Sequence, residues 1–233
     1  MESTLTLYRT TVGKKVVMAA SGVVLFGFVI VHMLGNLNIY LGPEAMYAYA
    51  KGLREMPYGL LWVARIGLLV AFLAHWATSV QLAMLNKKAR TTRYAKQQDL
   101  ATNYAAKSMY LTGPVMLLYI FYHLAHLTFG VTGPEGFDPF NPYNNFVAGF
   151  QVWWISGIYI VANVAVCMHL YHGVWSVFQS LGVNHKRFNA LRRQAATAIV
   201  GVILAGNLSF PIAVLAGVLQ PKPCTTCQAN WGK

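Results

Sequence analysis

The chain has 233 residues, of which 56% are hydrophobic and only 10% are charged. A soluble domain carries about 25% charged residues, so this composition excludes an ordinary soluble protein and favours one whose perimeter faces lipid. The formal charge of +12 does not indicate nucleic-acid binding, because the basic residues cluster between apolar runs rather than along one soluble face.

Five apolar runs follow one another along the chain, each long enough to cross a bilayer, which takes about 20 helical residues. They cover approximately residues 15–41, 60–85, 109–131, 151–178 and 195–219. The connections between them are too short to hold a soluble domain. The sequence therefore predicts an all-α membrane protein, a single domain over residues 1–233 built as a bundle of five transmembrane helices.

The charges in the connections predict the orientation of this bundle. Thirteen lysines and arginines precede span 1 or lie between spans 2 and 3 and between spans 4 and 5, against five on the opposite side. The positive-inside rule then places the N-terminus in the cytoplasm and the C-terminus outside. No carboxylate lies deep in a span, which disfavours a proton pump or a cation transporter.

Histidine is the polar residue that stands out within the spans. Spans 1 to 4 each contain at least one histidine, and span 5 contains none. Ionisable side chains are rare in membranes and usually functional there, and imidazole is a common axial ligand of haem iron. Four helices with one ligand each can hold two b-type haems. The histidines within the spans are His32, His75, His123, His126, His169 and His172.

The depths of these histidines predict how they pair. At about 1.5 Å per residue, His32 lies about 25 Å along the helix from Lys15, and His123 lies about 24 Å from Lys107, both counted from the cytoplasmic side. His75 is only about 18 Å from Lys87, and His169 is the first histidine of a span that enters from outside. We therefore expect His32 to pair with His123 near the outer face, and His75 with His169 at a lower level.

His126 and His172 are left open by this argument. Each follows another candidate by three residues and so lies on nearly the same helix face. Only one histidine of each such couple can be the axial ligand of a given haem. The other is free to bond a haem propionate, a backbone carbonyl or a quinone.

Arg65 is the one basic residue inside an apolar run, near the outer end of span 2. It either extends its charge to the membrane interface or neutralises a propionate of the outer haem. Small residues of span 1 (Ser21, Gly22 and Gly27) allow a porphyrin to approach the backbone, although small residues also serve ordinary helix packing.

Two cysteines, Cys224 and Cys227, lie in the tail that follows span 5. They do not form a c-type haem attachment site, because Gln228 occupies the position of the required histidine. A disulfide, half of a metal site and no role at all are the three interpretations, and the last is favoured.

These motifs resemble the single-chain cytochrome b membrane anchor of bacterial succinate dehydrogenases and fumarate reductases. The resemblance covers about residues 9–218 and is specific, because the number, order and spacing of the spans agree. The motifs that carry it are GKKVVMAASG (13–22), HMLGN (32–36), YLGPEA (40–45), RIG (65–67) with HW (75–76), HL (123–124) and HLYHGVW (169–175).

The resemblance implies a dihaem anchor in the bacterial plasma membrane. His32 and His123 are the expected ligands of the haem distal from the catalytic subunits, and His75 and His169 those of the proximal haem. The resemblance also favours His123 over His126 and His169 over His172.

The resemblance further implies partners on the cytoplasmic face, a flavoprotein with covalent FAD and an iron–sulfur protein with three clusters. By this resemblance, the chain itself is not expected to oxidise succinate but to pass electrons to a quinone, menaquinone or ubiquinone. An outer-side glutamate after span 1 contributes to the quinone site in a relative, which suggests Glu55, with Glu44 as a rival. The direction of the reaction, the position of the quinone site and the association of complexes into oligomers are left open.

Two other functions are compatible with the same sequence. The first is a dihaem cytochrome b of another quinone-linked dehydrogenase, of the hydrogenase or formate dehydrogenase type, whose partners usually bind on the outer face. The second is a haem-free transporter or scaffold in which histidines form hydrogen bonds between helices.

Overall fold

The structure is a computed structural model that describes residues 8–89, 104–183 and 185–227. Within these residues it is all-helical and has no strand. The basic segment 90–103, predicted to face the cytoplasm, lies outside the described residues. The helices are α1 (Thr11–Asn36), α2 (Pro43–Arg54), α3 (Leu60–Lys88), α4 (Tyr104–Leu127), α5 (Pro142–Gln151), α6 (Trp153–Ser180) and α7 (Lys186–Leu215), with 3-10 turns at Leu37–Leu41 and Pro57–Gly59.

Five of these helices, α1, α3, α4, α6 and α7, are long and apolar enough to cross a membrane. Their outer faces expose large apolar side chains, for example Trp62, Ile66 and Val70 on α3. A face of this kind causes aggregation in water, but it is the normal surface of a helix in contact with lipid tails. The prediction of an all-α fold with five helices long and apolar enough to cross a membrane is confirmed.

The ends of the spanning helices differ from the predicted ends by up to nine residues. Helix α7 begins at Lys186 rather than near residue 195, because the basic stretch before the apolar run continues the helix. Helix α4 ends at Leu127 rather than near residue 131, ahead of Gly130, whose φ of 68° is incompatible with helix continuation. A hydropathy profile identifies only the apolar part of a helix, so it does not predict polar residues that extend the helix beyond the apolar run.

One end of the bundle is closed by elements that hydropathy did not predict. Helices α2 and α5, together with the segment after α7 (residues 216–227), pack against one another there, and we call this assembly the cap. The Asn144 side chain donates to the Lys222 carbonyl at 2.9 Å and accepts from the Lys222 amide at 3.1 Å. Tyr143, which is fully buried, donates its hydroxyl proton to the Gln220 carbonyl at 3.0 Å.

Cys224 and Cys227 form a disulfide within the cap. The favoured interpretation that these cysteines have no role in the structure was therefore wrong. Their Cα atoms are 5.4 Å apart, a separation set by the local turn. The two-residue spacing of these cysteines is compatible with a disulfide but also with half of a metal site, so the sequence alone does not decide between them.

The packing order of the spanning helices determines which faces meet. Helices α1 and α6 contact each other at the centre, α3 packs on α1, α4 packs on α6, and α7 lies against α6 and α1. Along the described residues, α1 and α4 do not pack closely against each other, and neither do α3 and α6. In each of these two helix pairs, the side chains that face the partner helix therefore occupy the space between the helices.

Candidate functional site

The first pair of predicted ligands meets between α1 and α4. The rings of His32 and His123 have centroids 5.7 Å apart and planes at 86° to each other. Phe28, one turn before His32, stacks on its ring with a centroid distance of 5.2 Å. These contacts hold the His32 ring toward α4.

The second pair meets between α3 and α6. The rings of His75 and His169 have centroids 6.2 Å apart and planes at 61°. The structure thus brings together the same two couples that the depths of the histidines predicted, one from each of the four helices that carry a candidate.

Neither of the two remaining histidines faces an imidazole on an opposite helix among the described contacts. His126 is 2% exposed, and its Nδ1 lies 3.0 Å from the Tyr159 hydroxyl. His172 has a buried Nδ1 atom without a hydrogen-bond partner in the described part of the chain. Both positions differ from those of His123 and His169, each of which faces its partner's ring.

The second ring nitrogen of His75 is held by the neighbouring helix. Its Nδ1 lies 3.1 Å from the Met18 carbonyl oxygen of α1 and 3.4 Å from the Ser21 hydroxyl oxygen. A histidine that ligates a metal commonly donates its other ring N–H to a carbonyl in this way, which fixes the ring orientation and the tautomer. The Nε2 atom of His75 is then the one available to a metal.

The Nδ1 atoms of His123 and His169 also have polar neighbours on the facing helix. His123 Nδ1 lies 3.4 Å from the Tyr159 hydroxyl, and His169 Nδ1 lies 3.5 Å from the Thr112 hydroxyl. Both distances are at the long end for a hydrogen bond. In each case the arrangement leaves Nε2 as the available ligand atom, as in His75.

A haem fits the chemistry of this donor set. Two imidazoles that bind one metal from opposite sides, with metal–nitrogen bonds of about 2 Å, have ring centroids roughly 6 Å apart, and the observed values are 5.7 and 6.2 Å. No hydrogen bond joins the two rings of either described pair, so the imidazoles do not serve as each other's partners. The helices behind each pair are also not in close contact.

Sequence reasoning did not identify Tyr159 and Thr112 as neighbours of the histidines. A signal for Tyr159 was present, because Ser156, Tyr159 and Asn163 are spaced by three and four residues and so share one face of α6. All three are buried, at 0%, 3% and 7% exposure. Polar residues on one buried face of a membrane helix indicate an internal polar site.

Arg65 and Glu55 lie away from the histidine pairs in the described contacts. The Arg65 side chain is exposed, and its guanidinium carbon is 5.0 Å from the Trp62 ring centroid. Burial and the nearby charge of Arg65 lower the pKa of Arg54, at the end of α2. Glu55 follows α2 and pairs with Lys51 at 3.7 Å, with 61% of its side chain exposed. The propionate role of Arg65 and the quinone role of Glu55 stay predictions.

Comparison of the chain with protein-family models, curated proteins and solved structures gave no match. The function of the chain is therefore inferred from the geometry of the two histidine pairs.

Proposed function

We propose that this chain is the dihaem cytochrome b subunit of a succinate:quinone oxidoreductase, which anchors the complex in the bacterial plasma membrane and conducts electrons to quinone. In this proposal His32 and His123 hold the distal haem, and His75 and His169 hold the proximal haem. The observation that carries it is the meeting of four histidines from four helices in two facing pairs, at 5.7 and 6.2 Å.

Haem iron bound at these positions supplies reversible one-electron transfer. The protein contributes the ligand atoms and keeps them in place. The Met18 carbonyl orients the His75 ring. Helices α4 and α6 contribute one ligand each, His123 and His169. The Thr112 hydroxyl of α4 lies beside His169, and the Tyr159 hydroxyl of α6 lies beside His123.

Two independent features support a cytoplasmic N-terminus and a cap on the outer side. The first is the excess of lysine and arginine in the connections at the end opposite the cap. The second is the disulfide of the cap, since disulfides persist in oxidising compartments and are rare in the cytoplasm. With this orientation the proximal pair is the one nearer to partner subunits at the cytoplasmic face.

The partners in this proposal are a flavoprotein with FAD and an iron–sulfur protein, and the electron acceptor is a membrane quinone. Purification of the tagged chain from its native membranes in mild detergent tests this directly. We expect a flavoprotein with covalent flavin to co-purify and succinate to reduce the haems of the isolated complex. Co-purification of a hydrogenase or a formate dehydrogenase instead would assign the chain to another class of quinone-linked enzyme.

Gly22 provides a test of the proximal pair that leaves the histidines unchanged. A Cβ atom at Gly22 would lie 3.2 Å from His75 Cε1, whereas a Cβ at Gly201, on α7, meets no atom within 4 Å. Gly22→Val should therefore displace the His75 ring, at a cost of about 1–3 kcal/mol for overpacking, and lower haem content toward one per chain. Gly201→Val, on the helix that carries no candidate ligand, should keep two, as measured by pyridine haemochrome assay. Equal haem content in the two variants would contradict this placement of His75.

A further inference from the structure

The Tyr159 hydroxyl lies between two histidines of α4. It is 3.0 Å from His126 Nδ1 and 3.4 Å from His123 Nδ1. Tyr159 and His126 are 3% and 2% exposed, so these contacts lie in the interior of the bundle. One phenol oxygen therefore joins a proposed haem ligand to a histidine that faces no imidazole across the bundle.

If His123 ligates iron, the direction of both hydrogen bonds in the series His123–Tyr159–His126 is determined. A neutral imidazole that binds metal through Nε2 carries its proton on Nδ1. His123 then donates to the Tyr159 oxygen, and the single hydroxyl proton of Tyr159 is left to donate to His126 Nδ1. His126 must accept at Nδ1 and carry its own proton on Nε2.

Packing locks His126 at the far end of this chain. A Cβ atom at Gly149 would collide with His126 Nε2 and Cε1, and one at Gly133 would lie 2.9 Å from Cδ2. The Tyr122 ring stacks on His126 with a centroid distance of 5.9 Å and the Phe150 ring meets it edge-on at 6.3 Å. The imidazole is thus held between two glycines and two aromatic rings, and Tyr159 has a fixed acceptor.

His126 also forms part of the wall of a cavity of about 130 Å³. The other lining residues come from the connection before α5 and from α5 itself, and include Glu135, Asp138 and Asn145. The hydrogen-bonded chain therefore extends from the proposed distal ligand to a polar cavity beside the cap.

We propose that Tyr159 is a positioning residue for the distal haem, held in that role by His126. An acceptor on the Nδ1 proton of a ligating histidine raises the basicity of the ligand, and hydrogen bonding around the ligands tunes the redox potential. A more basic imidazole stabilises the ferric state, so the His123–Tyr159–His126 chain lowers the redox potential of the distal haem. This inference rests on the proposed function.

Tyr159→Phe removes only the shared hydroxyl and is the direct test in the intact complex. We expect two haems to be retained, the distal haem to titrate at a higher potential, its low-spin EPR signal to shift, and the proximal haem to be unchanged. Tyr119→Phe is the matched control, because the Tyr119 ring also contacts His123, at 5.8 Å, whereas its hydroxyl is 3.5 Å from the Asn163 amide nitrogen. The control should leave both haems at their wild-type potentials.

Two substitutions of His126 test its role in the hydrogen-bonded series His123–Tyr159–His126 and leave Tyr159 unchanged. His126→Leu removes the acceptor and should shift the distal haem in the same direction by less than Tyr159→Phe. His126→Asn places an amide oxygen near the position of Nδ1 and should restore most of the wild-type potential.

The outcomes separate this inference from the proposed function. An unchanged distal potential and EPR signal in Tyr159→Phe, with both haems present, would overturn the inference alone. Should Tyr159→Phe fail to assemble, identical potentials in His126→Leu, His126→Asn and wild type would overturn it as well. A wild-type complex without haem would instead overturn the proposed function.

Discussion

Replacing His123 with leucine is expected to remove one of the two haems, whereas replacing His126, three residues later on α4, is expected to retain both. His123 faces His32 across the bundle, while His126 is bonded to Tyr159 and packed between glycines. A single remaining imidazole does not hold a haem that needs ligands from two sides. Haem per chain in the purified complex, from pyridine haemochrome and protein assays, measures the difference.

This comparison also controls for damage to the fold. His126 is the more buried of the two residues, so general destabilisation should be larger in His126→Leu than in His123→Leu. If His123→Leu, the substitution at the less buried position, loses more haem than His126→Leu, the loss is caused by removal of a ligand and not by disrupted packing. Loss of a haem in His126→Leu with two haems retained in His123→Leu would reverse the assignment within α4.

Replacing His169 with leucine is expected to have the largest effect on activity of any substitution discussed. It removes the imidazole that faces His75, in the pair that the proposed orientation places nearest the proposed cytoplasmic partners. We expect haem content to fall to one per chain and succinate-driven quinone reduction to fall by at least about tenfold, a loss equivalent to roughly 1.4 kcal/mol or more. Succinate oxidation by a soluble dye should persist, since it does not require the membrane chain.

His172→Leu is the matched control on α6. The Nδ1 atom of His172 is buried without a hydrogen-bond partner among the described residues, and replacing an unsatisfied polar group by an apolar one need not reduce stability. The variant should therefore keep two haems and most of the quinone reductase activity. Equal losses in His169→Leu and His172→Leu would contradict the assignment of His169 as the ligand.

The sequence was sufficient to predict the five spans and the pairs of histidines that meet. Both follow from one-dimensional quantities, since the length of an apolar run indicates a crossing and the rise per residue gives depth. His32 and His123 were expected at one level and are in ring contact, as are His75 and His169. The choice of His123 over His126 came from family resemblance, because residues three apart share a helix face.

Features that depend on contacts between distant segments could not be predicted in this way. The cap forms because α5 and the C-terminal segment meet, through bonds such as those of Asn144 with Lys222. Tyr159 meets His123 only because α6 packs on α4. A hydropathy profile predicts whether a residue lies in an apolar environment, but it does not predict which distant residues that residue contacts.

Whether the four imidazoles bind two haems is decided by the haem-to-protein ratio and the reduced-minus-oxidised spectrum of the purified chain. We expect a b-type spectrum and two haems per chain, with one lost in His123→Leu and one in His169→Leu. A purified chain that is helical by circular dichroism but has no Soret absorption would show that the two histidine pairs do not bind haem.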